Sequence, residues 1–206
     1  MKQIMQVFKL IAGFSAGLAA TIAATSAGVG DVAHSHGRAA DAPEELEHFA
    51  FLVGCFELET YSRNDAGTDW VRIGGGEWLG RWAQGGWAIY DEWSGIPFPG
   101  WEEDMARGAN MRVYHPDGRR FVIAALHTNA QETRDRRARR VGDKIVVWQP
   151  SPAFDGFNWE ARFTFGEGGR WTRTDITSPL DAPKDFTEIR KIEASPVECS
   201  TGLEKE

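Results

Sequence analysis

Beyond residue 50, apolar and polar positions alternate with a period of two along short segments, which is the pattern of strands with one buried face. In the segment 51–61, Phe56, Leu58 and Thr60 share one side while Glu57 and Glu59 take the other. In 157–165, Phe157, Trp159, Ala161, Phe163 and Phe165 alternate with Asn158, Glu160, Arg162 and Thr164. Comparable segments at 68–73, 77–82, 87–93, 109–115, 119–127, 144–149, 171–176 and 186–192 are separated by turn signals. Among these are Asn64-Asp65-Ala66-Gly67, Gln84-Gly85-Gly86, Gly142-Asp143 and Gly166-Glu167-Gly168-Gly169, while Gly74-Gly75-Gly76 marks a bend or bulge. Before the first strand, 43–49 reads as a short helix, with Pro43 at its start and acids in its first turn. Nine or ten consecutive strands with no long helix between them predict an antiparallel up-and-down barrel over 43–195. A β-sandwich is the structural alternative.

The most specific expectation concerns the hairpin around Pro116-Asp117-Gly118, which suits a type I turn closed by a glycine bulge. That turn sets His115 opposite Arg119, Val113 opposite Phe121 and Met111 opposite Ile123. Met111, Val113, Phe121, Ile123 and Ala125 then share the apolar face, and His127 lies at its end. Asn110, Arg112, Tyr114 and Arg120 fall on the other face.

The start of the chain has a different character. Lys2 and Lys9 precede an uncharged run from Leu10 to Val29, and Thr25-Ser26-Ala27 offers small residues for cleavage. Residues 1–27 therefore read as a signal peptide, with an uncleaved anchor as the alternative. The expectation is an exported protein, periplasmic in a Gram-negative source, with no stable membrane insertion after cleavage. Residues 28–42 read as a flexible leader and 196–206 as a tail. His34 and His36 lie in that leader, where two ligands alone make a poor metal site.

Composition narrows the partners. The net charge is −7, and removing 1–27 leaves 21 basic against 30 acidic residues, so nucleic acid and anionic membranes are not expected partners. Nine Trp, twelve Phe and three Tyr exclude a disordered chain. Oligomeric state stays open. Two cysteines, Cys55 in the first strand and Cys199 in the tail, come together only if the first and last strands are neighbours. A bridge and two free thiols both stay open on this reading.

Phe51-Leu52-Val53-Gly54, the strand Gly86-Trp87-Ala88-Ile89-Tyr90-Asp91-Glu92-Trp93, and Met111-Arg112-Val113-Tyr114 before a Pro-Asp-Gly turn resemble uncharacterised lipocalin-like bacterial proteins of the DUF1579 type. The resemblance covers 51–192 and implies a calycin-like barrel without an assigned reaction. Cys55-Phe56 stands where that family usually has a Trp.

No dinucleotide, phosphate-loop, zinc-protease or serine-hydrolase motif is present, so no cofactor or metal is called for. The barrel is expected to bind a small apolar or aromatic molecule, lined by Trp87, Ile89, Trp93, Phe121, Ile123, Trp159 and Phe163. The competing reading is a cofactor-free lyase, isomerase or hydratase, with Asp91 or His127 moving a proton and Arg112 or Tyr114 holding charge. Asp91 shares a face with Trp87, Ile89 and Trp93, so an interior Asp91 needs either an arginine partner or a chemical task. A haem barrel with His127 as axial ligand is a third reading. Arg134, Arg136, Arg137, Arg139 and Arg140 read as a solvated loop, or as a positive field drawing an anionic substrate to the barrel mouth.

Overall fold

Ten antiparallel strands follow one another around a closed sheet in the computed structural model, which describes residues 37–64, 66–96, 107–127, 132–150 and 157–199. They are β1 (Gly54–Arg63), β2 (Trp70–Ala83), β3 (Ala88–Ser94), β4 (Arg107–His115), β5 (Arg120–His127), β6 (Glu132–Val141), β7 (Lys144–Trp148), β8 (Phe157–Phe165), β9 (Trp171–Pro179) and β10 (Thr187–Val197). Each strand pairs with its successor, and β10 returns to β1 through Cys55 opposite Val197 and Thr60 opposite Ile192. The expected up-and-down, lipocalin-like barrel is the fold, and closure leaves no free sheet edge. The same β1–β10 register carries the tail back to the first strand, where Cys55 and Cys199 form a disulfide with their Cα atoms 5.3 Å apart. The expected signal peptide, the leader histidines His34 and His36, and the end of the tail lie outside the described residues. Among the described residues no helix is long and apolar enough to cross a membrane.

One end of the barrel, here the lower end, is plugged by a 3-10 helix, Glu44–Leu52, whose Leu46, Phe49 and Leu52 are buried. This helix runs further than the sequence reading gave it, and it takes Phe51 out of the first strand. Its rings continue the barrel core: Phe49 packs edge-on to Phe121 at 4.7 Å between centroids, and Trp78 packs on Trp171 at 5.2 Å. The plug sits tightly on β2. A Cβ at Gly80 would collide with the Leu52 carbonyl, so only glycine lets the helix end approach the strand.

Three expectations are corrected. The segments 68–73 and 77–82 form a single strand, β2, which passes through the three glycines while its pairing with β1 shifts between Thr60 and Tyr61. The arginine-rich segment is not a loop but the strand β6, because β5 and β7 satisfy its backbone on both sides. The β4–β5 hairpin is offset by one residue from the expected register: His115 lies opposite Arg120, Tyr114 opposite Phe121 and Arg112 opposite Ile123. Its turn spans Pro116–Gly118 plus Arg119, which adopts the left-handed conformation at φ 44° and donates its N–H to the Pro116 carbonyl. A one-residue offset reverses a strand's faces. Asn110 and Arg112 therefore enter the barrel, and Val113 is exposed.

Candidate functional site

Alternation along β3 sends Ile89, Asp91 and Trp93 inward, and β4 sends Asn110 and Arg112 to meet them. Asp91 lies opposite Asn110 in the ladder, and Asn110 Nδ2 donates to Asp91 Oδ1 at 2.6 Å. Asp91 Oδ2 forms an ion pair with Arg112 Nη1, and neither side chain meets solvent to any extent. The Arg112 guanidinium stands 5.2 Å over the Phe49 ring and 5.8 Å over Trp78, so it spans from the ion pair to the plug. Burial, and then the nearby Arg173 and Arg136, hold its pKa well below the usual arginine range. Both oxygens of Asp91 are engaged. The carboxylate that the acid–base reading relied on locks β3 to β4.

A second polar group occupies the inner wall on the opposite side. Arg173, Asp175 and Arg190 converge, with Arg173 Nε donating to one oxygen of Asp175 at 2.7 Å and Arg190 Nε to the other at 2.7 Å. Burial alone would raise the Asp175 carboxyl, but the two guanidiniums outweigh it and hold its pKa below the ordinary value. Burial lowers Arg190 to about 10, with the Asp175 charge opposing that fall.

Between these ion groups, toward the upper end, lies a chain of contacts that runs from Trp93 to Arg173. The Trp93 ring packs edge-on to His127 at 5.7 Å, and Arg136 Nη2 lies 2.9 Å from His127 Nε2. The Arg136 guanidinium covers Trp159 at 4.6 Å, and Arg173 approaches the same ring at 5.6 Å. Burial, followed by the charge of Arg136, pushes His127 down to about 3, so the ring is neutral at pH 7. A guanidinium only donates, so His127 accepts through Nε2 and carries its proton on Nδ1. Arg136 itself falls to about 9, through burial first and the charge of Arg173 second.

The sequence-predicted site residues thus divide. Ile89, Trp93, Phe121, Ile123, Trp159 and Phe163 are all buried on the inner wall. Phe121 and Phe163 belong to the lower apolar layer, where they pack on Phe49 and Phe51, whereas Trp93 and Trp159 reach the polar group above. Trp87 is a correction: it precedes β3 and is exposed, so it lines nothing inside the barrel. Tyr114 is brought beside Phe121 and the plug, where burial and then Glu45 raise its pKa, and it is not gathered with His127. Arg112 is inside with Asp91 rather than on the hairpin's outer face.

Sequence reasoning missed Arg173, Asp175 and Arg190, and it read Arg136 as part of a solvated loop or of a positive field at the barrel mouth, not as an inward side chain. The available signal was period two itself: Trp171, Arg173 and Asp175 alternate with Thr172 and Thr174, and Arg134, Arg136 and Ala138 alternate with Asp135 and Arg137. A concavity of about 670 Å³ bordered by Arg63, Arg162, Phe186 and Glu188 contains none of the groups above. Its charges pair with one another in solvent, as Arg63 does with Glu188. Among the described residues no cluster of three or more His, Cys, Asp or Glu side chains could hold a metal ion. A scan of the sequence against protein-family models found no match, and a search of the curated proteins found none.

Proposed function

We propose that this chain is an exported barrel that binds a small molecule with an apolar or aromatic body in the upper half of its interior. The carrying observation is the contrast between the two halves of the inner wall. The lower layer is sealed, with Phe121, Trp78 and Trp171 each 1% exposed. Trp93, His127, Trp159, Arg136 and Arg173 retain 4% to 7%. In that upper group aromatic faces adjoin a buried cation, Arg136, whose Nε has no hydrogen-bond partner among the described residues; the Trp78 and Trp171 indole N–H groups below also lack one but carry no charge. Apolar walls with a few convergent polar groups are the make-up of a ligand pocket, and an orphaned buried donor is costly unless something accepts from it. The Cys55–Cys199 bridge supports export, because disulfides persist in oxidising compartments. The resemblance to DUF1579-type proteins points to the same architecture and assigns no reaction.

Titration of the mature protein with aromatic and alkyl ligands, followed by tryptophan fluorescence, tests this reading. Saturable quenching that is weakened by Trp159→Leu is the expected result. Absence of saturable quenching with every ligand, together with a filled barrel in a crystal structure of protein from its native host, would overturn it.

A further inference from the structure

We infer that the ligand of this barrel carries a compact anionic group, a carboxylate on an apolar or aromatic body, and that Arg136 is its counter-ion. This inference rests on the binding reading above and adds the charge of what is bound.

Four guanidiniums are buried in the interior, Arg112, Arg136, Arg173 and Arg190, against two buried carboxylates among the described residues, Asp91 and Asp175. Three of the four touch a carboxylate: Arg112 pairs with Asp91, while Arg173 and Arg190 share Asp175. Arg136 does not. Its side chain meets the neutral ring of His127 and the face of Trp159, and its Nε is orphaned. The charges that act on it most strongly include Arg173, Arg134 and Arg190, with Asp175 alone opposing them. With a pKa of about 9 the group remains a cation at neutral pH. Buried charges in proteins are paired or hydrogen-bonded almost without exception, because an uncompensated ion forgoes its hydration for nothing.

The geometry also selects the shape of the missing anion. A guanidinium presents its donors in one plane and matches a carboxylate, and the charge of Arg173, which also approaches the Trp159 ring, adds to the positive field there. Trp159 beneath Arg136, and Trp93 against His127, supply apolar surface, which suits a body attached to the anion better than a fully hydrated inorganic ion. His127, held neutral, adds no competing charge.

Matched acid and alcohol pairs separate this inference from the reading beneath it. Delipidated mature protein is titrated by calorimetry at pH 7.5 with decanoate against decanol and phenylacetate against 2-phenylethanol, with inorganic phosphate alongside. The expected result is an acid that binds at least about tenfold tighter than its alcohol, and a preference that collapses to within about twofold in Arg136→Gln. Equal binding of acid and alcohol overturns the anion while leaving the binding barrel intact. Binding of neither member of either pair overturns both. Phosphate binding tighter than either acid replaces the carboxylate-bearing body with a free inorganic anion and also overturns the inference.

A ligand-free measurement guards against variants that fail to fold. If Arg136 lacks a counter-ion in the empty barrel, Arg136→Met melts at or above the parent temperature, whereas Arg112→Met, which strands Asp91, melts well below it. An Arg136→Met variant that loses as much as Arg112→Met shows that Arg136 is already paired, and the inference falls.

Discussion

Asp91→Asn tests whether the inner carboxylate is a lock or a reagent. The substitution keeps the side-chain shape and removes its charge, leaving Arg112 as a cation in a place where its side chain is 4% exposed. Because neither partner is solvated, the relevant regime is that of a buried pair broken from one side, which costs about 3–5 kcal/mol. Asparagine retains an oxygen that can accept from Asn110 or Arg112, so the lower end of that range applies, about 3 kcal/mol. For a domain of this size each kcal/mol lowers Tm by about 2–4 °C, giving an expected fall of about 6–12 °C by circular dichroism. The double variant Asp91→Leu with Arg112→Met removes both charges and should recover most of the loss, since apolar replacement of a whole buried pair is close to neutral. An Asp91→Asn protein that melts within about 2 °C of the parent would refute the lock. Such a protein losing turnover on an identified substrate would move Asp91 into catalysis.

The disulfide closes a loop of sequence separation 144, so Cys55→Ser with Cys199→Ser should cost up to about 5 kcal/mol in the chain-entropy account, read as a lower urea midpoint; an unchanged midpoint would show that the bridge constrains nothing. His127 has a folded pKa of about 3 against 6.5 for the free side chain, so as pH falls below 6.5 the unfolded chain takes up a proton that the folded chain refuses. Stability should therefore drop from pH 6.5 toward 3 by up to about 1.4 kcal/mol per pH unit, and His127→Gln should flatten that limb, leaving the contribution of His48, whose pKa burial also lowers, and, at its acid end, that of Asp175. An identical slope in the variant would contradict the buried neutral ring. Gly80→Ala places a methyl against the Leu52 carbonyl and should lose about 1–3 kcal/mol or more by forcing the plug off β2, measured by chemical denaturation; a neutral outcome would mean that the helix end is not seated there.

Period-two patterning determined that this chain makes a sequence of short strands, and the regular turn signals determined that they run up and down. Those features are local, and they survive in β8 and β9 as read. What the pattern could not determine is which face of a strand is interior when both faces carry apolar and charged side chains. In β4 the choice between Met111 with Val113 and Asn110 with Arg112 depends on Asp91, nineteen residues before Asn110 and adjacent to it only once β3 and β4 pair. An inward arginine is costly without a partner, and in the observed register Arg112 meets that carboxylate. The same holds for β6. Five arginines in seven residues read as solvated because charge seeks water, yet ladders from β5 and β7 make the segment a strand, and alternation then carries Arg136 inside. The disulfide likewise waits on closure, since Cys55 and Cys199 meet through the pairing of the first strand with the last. Local backbone preference is written in neighbouring residues. The solvation of a charge is decided by whichever residues the closed sheet brings beside it.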